Sequence, residues 1–237
     1  YCIGKLVLPE YAADNMAVIN FSASGIQAGG STYTGAQYCS RIAGLLAGTP
    51  LTNSATSAVL EEVTGVTAVA DPDAAVAAGK LILVHDGRKA KLGRAVNSLV
   101  TVPTDQSEAL KKIKIVAAVD LIRREGKLLI EDQYTGQGNS YDNKLVMVAA
   151  FQDFLAQLEN EGVLQSGSGY AELNLEKQRA WLKEQGVDVA SMTDQDILKA
   201  DTGSYIWIKM GGTILDGMED FDLEFYMGSG TVGGNAA

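Results

Sequence analysis

The sequence predicts an α+β fold with mixed strands and helices. In this fold an outer strand-and-helix part packs on a helix-rich C-terminal part, which ends in a β hairpin and a C-terminal arm strand. The 237 residues are 46% apolar and 20% charged, with only four prolines, which is typical of a globular chain that can bury a core. Short strand and helix patterns alternate over the first hundred residues, and longer helical patterns follow.

The first part opens with strand-forming residues at Ala17–Phe21, followed by a Gly-rich turn. The stretch "TGAQYCSRIAGLLAG" then predicts a helix with Thr34 as its N-cap and Gly48 just beyond its end. A short helix is expected between Asp71 and Gly79.

The clearest hairpin signal of the first part is "KLILVHDGRKAKLGRAV". Leu81–His85 predicts one strand and Lys91–Leu99 its return. Asp86-Gly87 is a preferred two-residue turn pair.

Longer helices are predicted after residue 105. Asp105 or Ser107 can cap a helix that runs past Arg124, and a second begins near Ser140–Tyr141 and ends at Gly162. Two shorter helices cover "LEKQRAWLKEQG" and "TDQDILKA".

A second hairpin is predicted close to the C-terminus. Ser204–Met210 and Thr213–Asp216 would form its strands, with Gly211-Gly212 as the turn. The change from strand-rich to helix-rich texture near residues 101–106 predicts three regions, 1–102, 103–217 and 218–237.

The charge and the reactive residues exclude several functions. The net charge of −10 without a basic stripe disfavours nucleic acid. No apolar run approaches the ~20 residues needed to cross a bilayer, and Cys2 and Cys39 are expected to be free thiols. With one histidine and two scattered cysteines, the sequence predicts no metal site, no cofactor and no catalytic residue.

Two other function classes stay open as alternatives. An α/β hydrolase could use His85 or a carboxylate cluster, but His85 beside Asp86 is more typical of a turn residue. A small-ligand binding domain could use the Gly-rich loops around Gly29 or Gly138. The four carboxylates that the hydrolase alternative would use are Glu219, Asp220, Asp222 and Glu224.

The stretch "MEDFDLEFYM" alternates apolar and acidic residues, as a half-buried strand does. Two arrangements satisfy such a strand: it pairs with its own preceding hairpin, or it extends a sheet in a neighbouring copy, where its apolar face fills pockets. The residues assigned to this inter-subunit arm are Phe221, Asp222, Leu223, Glu224, Phe225 and Tyr226.

Five collinear segments carry a resemblance: "HDGRKAKLGRAVNSLVTV", "LKKIKIVAAVDLIRREGK", "YDNKLVMVAAFQDFLAQLENEGVL", "QRAWLKEQGVDVASMTDQDILKADTGSYIWIK" and "DGMEDFDLEF". In this order they resemble the C-terminal half of tail sheath proteins of contractile phage tails and related tailocins from Firmicutes. The match extends from about Gly25 to Met227. Family members begin with further N-terminal segments, so the resemblance implies a truncated or processed chain.

The resemblance implies a structural subunit of a virion tail or phage-tail-like particle, assembled in the bacterial host cytoplasm. Such subunits form stacked rings around the inner tail tube and shorten to drive the tube through the target envelope. It further implies, as partners, neighbouring sheath subunits, the tube protein, and baseplate and tail terminator proteins. Terminal arms would complete sheets in neighbouring subunits.

Contact with the tube must be weak enough to slide, which charged contacts permit. Basic residues that cluster on helices of this acidic chain are therefore candidates to face the tube, namely Lys111, Lys112, Lys114, Arg123 and Arg124.

Overall fold

The computed structural model describes residues 5–225. Its first half contains eight short strands and two helices. In chain order these are β1 (Leu6–Pro9), β2 (Val18–Ser22), β3 (Ile26–Ala28), β4 (Ser31–Tyr33), α1 (Gly35–Gly48), β5 (Val59–Leu60), β6 (Val63–Gly65), α2 (Pro72–Ala77), β7 (Lys80–His85) and β8 (Ala90–Leu92).

Two sheets organise this half. The larger has the order β1-β2-β7-β8-β5, with β1, β2 and β7 parallel and the last two strands antiparallel to their neighbours. The smaller has the order β4-β3-β6. Phe21 and Leu81, opposite each other in the larger sheet, are completely buried, as is Ile42 of α1. These side chains form the first core.

The two helices of this half begin where the sequence predicts. Thr34 caps α1 in a capping box with Gln37, and Asp71 caps α2 by accepting a hydrogen bond from the Ala74 N–H. Gly48 is the last residue of α1 rather than the residue beyond it.

The β7–β8 hairpin has a wider turn than predicted. His85 pairs with Ala90, so the loop has the four residues Asp86–Lys89 instead of two. The Asp86 carboxylate accepts the N–H groups of Arg88 and Lys89 at 2.9 and 2.8 Å, which stabilises the longer loop. The return strand also ends early, at Leu92 rather than Leu99.

The second half contains the long helices. In chain order its elements are a 3₁₀ turn (Glu108–Lys111), α3 (Ile113–Leu129), a π-helical turn (Ile130–Tyr134), α4 (Tyr141–Asn160), β9 (Tyr170–Leu173), α5 (Leu175–Glu184), a 3₁₀ turn (Val189–Ser191), α6 (Asp194–Lys199) and β10 (Ile208–Gly211).

The helix predicted from Asp105 or Ser107 is interrupted. Lys112 has an extended backbone and forms an antiparallel bridge with Val96, so α3 starts only at Ile113. Ser107 caps the preceding 3₁₀ turn instead. The bridge to the first half prevents Lys112 from adopting helical torsions.

The predictions for α4 and α6 are confirmed. Ser140 accepts the Asn143 N–H at the start of α4, and Gly162, with φ +74°, follows its end. Thr193 and Asp196 form a capping box on α6. The second core lies between α3, α4 and β9, and its most deeply buried side chains are Ala118, Leu164, Phe151, Leu155, Leu158, Val163 and Ala171.

The predicted C-terminal hairpin is wrong. β10 pairs antiparallel with β9, and Ile214 forms a bridge with Leu164, so Gly211-Gly212 is not a turn. A Cβ at Gly211 would stand 2.7 Å from the Tyr170 ring on β9. Glycine at this position leaves room for the Tyr170 ring, which lies over β10.

Candidate assembly surface

One edge of β10 is open. β10 pairs on one side with β9, and no third strand joins this sheet within residues 5–225. The Asn174 N–H donates to the Trp207 carbonyl oxygen at 2.8 Å. Because hydrogen-bonded pairs alternate in an antiparallel ladder, the peptide groups of Ile208 and Met210 point away from β9. This open edge can accept another strand.

An apolar groove lies alongside β10. Its volume is about 780 Å³, and its walls come from α3, the π-helical turn, α4 and β10 with its preceding loop. The apolar side chains that line it are Ile122, Ile130, Met147, Phe151, Ile206, Ile208 and Met210. A strand laid on the open edge could therefore bury alternate side chains in the groove.

The arm supplies apolar side chains that its own chain does not cover. Residues 221–225 form no strand, and Phe221, Leu223 and Phe225 are 79%, 90% and 86% exposed. Large apolar side chains at such exposure, spaced two residues apart, are typical of a segment that binds elsewhere. The sixth arm residue, Tyr226, lies outside the described residues.

The segment just before the arm, residues 213–220, is attached to the rest of the chain; we call it the root. Leu215 donates its N–H to the Val163 carbonyl oxygen, and Thr213 accepts the N–H of Gln165. A Cβ at Gly217 would stand 2.8 Å from the Ser54 Cβ, so the root lies directly on the first half.

Glu219 is the central side chain of the root, and only 3% of it is exposed. Its Oε1 accepts hydrogen bonds from the Ser54 and Thr56 hydroxyls at 2.8 and 2.6 Å. Its Oε2 lies 3.3 Å from Arg94 Nε and 3.2 Å from Lys112 Nζ. These last contacts are ion pairs without a well-aligned hydrogen bond.

The protonation equilibria reflect this arrangement. Burial opposes ionisation of Glu219, but the Thr56 and Ser54 hydroxyls and the Lys112 ammonium outweigh it and lower the pKa of the carboxyl group. Burial likewise disfavours the charged Lys112, yet Asp216 and Glu219 raise the pKa of its ammonium group. Both side chains are therefore ionised at neutral pH.

Two of the five candidate tube-facing residues are engaged inside the chain, which corrects those two assignments. Lys114 is buried, and its Nζ donates to the Thr52 carbonyl oxygen at 3.1 Å. Lys112 holds Asp216 and Glu219 in the root.

The other three candidates stay on or near the surface. Lys111 forms an ion pair with Glu108, and Arg124 one with Glu125. Arg123 is exposed at the side of the groove.

The residues of the two alternative functions have structural roles. His85 is exposed, and its Nδ1 accepts the Gly87 N–H in the hairpin loop. Gly29 forms the β3–β4 turn, and the Gly138 carbonyl oxygen accepts hydrogen bonds at the start of α4. Within residues 5–225, no three His, Cys, Asp or Glu side chains are grouped as metal ligands.

The structure also places the carboxylates of the stretch "MEDFDLE" in different surroundings. Asp220 forms an ion pair with Arg94, while Asp222 is exposed on the arm.

No helix in the described part of the chain combines the length and the apolar character that crossing a membrane requires.

The sequence is similar to a known tail sheath protein. It is 35% identical over 226 residues to the tail sheath protein of Clostridium phage phiCD119, covering 94% of this chain and 63% of the phage protein. The chain thus spans less than two thirds of that relative's length. No protein-family model matches the sequence. The resemblance to tail sheath proteins that the five segments predict is confirmed by this similarity.

Solved structures share the fold. The sheath tail protein from Desulfitobacterium hafniense superposes with a TM-score of 0.63 at 20% identity, over 71% of this chain and 42% of that one. The helical sheath of the anti-feeding prophage in its contracted state gives 0.64 at 14% identity, over 94% and 61%. At these identities the likeness shows the fold alone, and it confirms the predicted α+β class.

Proposed function

We propose, starting from the chain's relationship to tail sheath proteins, that it is a structural subunit of a contractile tail sheath and not an enzyme. In this role it polymerises around an inner tail tube and shortens to drive the tube through the target envelope. The observation that carries the proposal is that one chain holds both an uncovered apolar arm and an open strand edge beside an apolar groove.

The arm of one copy pairs with β10 of another. Each new main-chain hydrogen bond contributes about 0.5–1.5 kcal/mol net. Each large apolar side chain that enters the groove contributes about 1.5–3 kcal/mol when fully buried. The two Phe residues and Leu223 alternate with Asp222 and Glu224, so the acidic side chains face solvent when the apolar ones face the groove. On that solvent face, Asp222 and Glu224 lie on the same side of the extended sheet as Lys209 of β10, whose ammonium group forms an ion pair with Glu172.

This pairing is heterologous, because the surface that donates differs from the surface that receives. Heterologous contacts generate rings if they close and helical assemblies if they do not. A ring or helix of identical subunits suits a sheath, whereas a closed dimer would use one surface twice.

Further assignments follow from the same proposal. Lys111, Arg123 and Arg124 are the candidates that face the inner tube, where exposed charge contacts of about 0–1 kcal/mol permit sliding. Residues 1–102 form a partial outer domain, residues 103–217 the inner sheath domain, and residues 218–237 the arm and tail. The subunit belongs to a phage tail or a phage-tail-like particle assembled in the host cytoplasm, with baseplate and tail terminator proteins as further partners.

The test removes the apolar side chains of the arm in the full-length protein. Replacing Phe221, Leu223 and Phe225 together by Ser abolishes sedimentable assemblies, because the groove of the neighbour loses its occupant. The matched control is Asp222→Asn, which alters the arm but keeps its apolar face. Tubes or rings of normal abundance in electron micrographs of the triple variant would show that the arm is not the connector, and a parent chain that forms neither would contradict the sheath role.

A further inference from the structure

The root connects the arm to both halves of the chain at once. Residues 213–215 bind the second half, through hydrogen bonds with Val163 and Gln165 and the bridge between Ile214 and Leu164. Four residues later Glu219 binds Ser54, Thr56 and Arg94 of the first half. We define the Glu219 cluster as Ser54, Thr56, Arg94, Lys112, Asp216 and Glu219.

The first half is built to receive the Glu219 carboxylate. Thr56 Oγ1 accepts the Ala95 N–H at 2.9 Å and donates its proton to Glu219. Ser54 Oγ accepts the Thr56 N–H at 3.2 Å and donates likewise. Both hydroxyls are therefore oriented by backbone amides before the carboxylate arrives, and a pre-oriented pair of donors fixes its position closely.

Glu219 is the last buried side chain before the arm. It is 3% exposed, whereas Met218 before it is 88% exposed, and after it the side chain of Asp220 is 83% exposed and Phe221 79%. All described residues beyond Glu219 are exposed, so its side chain is the last buried attachment of the chain. The place where the arm leaves the surface is set at Glu219.

We propose that Glu219 is a positioning residue, which fixes the exit point of the arm and makes a pull on the arm act on both halves of the subunit together. This inference rests on the proposed function, since it assigns the arm a partner in another copy. Without the Glu219 cluster, the arm would be held only by residues 213–215, and a pull would act on the second half alone.

The first experiment tests the Glu219 cluster in the unassembled chain. Chymotrypsin can cleave after Phe221 and after Phe225, but cleavage after Phe221 requires the preceding residues to leave the surface. A hydrogen bond to a charged group contributes enough for about a tenfold change in such an opening equilibrium. Glu219→Gln should therefore accelerate cleavage after Phe221 about tenfold and leave cleavage after Phe225 unchanged.

Two further variants complete this experiment. Asp105→Asn removes one exposed carboxylate that is far in sequence from both cleavage sites and outside the Glu219 cluster, and it should leave both rates as in the parent chain. Gly217→Ala should accelerate cleavage after Phe221, because its Cβ would contact Ser54 at 2.8 Å and push the root away. It keeps the test decisive if Glu219→Gln does not fold, as judged by circular dichroism. Unchanged cleavage after Phe221 in the folded variants would overturn the inference.

The second experiment separates this inference from the proposed function. In the full-length protein, Glu219→Gln should still bind through its arm but give fewer regular tubes than Asp222→Asn. If Glu219→Gln tubes are as regular and abundant as those of the parent, the positioning role is wrong while the sheath proposal stands. If the triple arm variant still assembles, the arm is not the connector between copies, and if the parent itself forms no rings or tubes, the sheath proposal is wrong, whatever the proteolysis shows.

Discussion

The root and the arm are neighbouring parts of one short stretch with similar residue types, but only the root places a side chain in a buried site of the rest of the chain. Both contain carboxylates and apolar side chains. In the root, Gly217 lies against Ser54 and Glu219 is buried among hydroxyls and cations. In the arm, Phe225 is 86% exposed. The difference shows that residue type does not decide burial here, because what decides it is whether the rest of the chain offers a complementary surface.

Removing the buried carboxylate of the root should change the free energy of unfolding more than any substitution in the arm. Glu219→Ala leaves Arg94 and Lys112 without their buried anion and Ser54 and Thr56 without an acceptor. We expect it to lower the free energy of unfolding by about 1–3 kcal/mol. Phe225→Ser should change it by no more than about 0.5 kcal/mol. Urea unfolding measures both, and equal effects of the two substitutions would erase the distinction between root and arm.

The pH dependence of the free energy of unfolding should also distinguish the root from the arm. The pKa of Glu219 is lowered by the Thr56 and Ser54 hydroxyls and by Lys112, so folding favours its ionised form. The stability that it contributes is fully present above its ordinary pKa of 4.5 and is lost as the pH falls through the lower pKa of the folded state.

The groups that surround Glu219 contribute to this dependence. The pKa of Asp216 is lowered by its hydrogen bond to Lys112 although burial opposes it. The cations nearby are Arg94, Lys112 and Lys114. Urea unfolding at a series of acidic pH values should show a smaller loss of stability for Glu219→Gln than for the parent, with Asp222→Asn as the control. The same acid sensitivity in Glu219→Gln would show that other carboxylates dominate.

The smallest effect should come from the residue at the junction. Asp220 forms an ion pair with Arg94, but its side chain is 83% exposed. Exposed ion pairs contribute about 0–1 kcal/mol and are screened by salt. Asp220→Asn should therefore shift the free energy of unfolding by less than about 0.5 kcal/mol, and by less still in 1 M salt. A loss as large as that of Glu219→Ala would show that Asp220 holds the root as strongly as Glu219 does.

Local features of the fold could be predicted from the sequence. The N-caps of α1, α4 and α6 depend on side chains within three residues of the helix start; Thr34 has its predicted role, and α4 and α6 begin where their sequence patterns predict. The pairing of β10 could not be predicted in this way, since its partner β9 lies more than 30 residues earlier. The Gly211-Gly212 pair led to a wrong hairpin prediction. In the sequence, a glycine that leaves room for a neighbouring ring cannot be distinguished from a glycine in a turn.

The candidate site shows the same limit. The apolar alternation of the arm is visible in the sequence, but the surface that would cover Phe221, Leu223 and Phe225 is not, and in this chain all three are exposed. Neither the burial of Glu219 nor that of Lys114 could be predicted, because the partners of these charges lie far away in the chain. Ser54, for example, is 165 residues from Glu219, and Thr52 is 62 from Lys114.

The central claim is that the arm of one copy lies beside β10 of another, and cross-linking between copies tests it most directly. One population of the full-length protein carries Asp222→Cys and a second carries Lys209→Cys, both with Cys2 and Cys39 replaced by Ser. Facing residues of paired strands have Cβ atoms about 4.5–5.5 Å apart, within reach of a disulfide after small adjustments. Lys127→Cys, on the exposed surface of α3, serves as the control partner.

We expect oxidation of the mixed populations under assembly conditions to yield a disulfide-linked dimer of Asp222→Cys with Lys209→Cys and none with Lys127→Cys. If the two cysteines instead link efficiently only when both are placed in one chain, and never between chains, the arm pairs with its own subunit and the account is wrong.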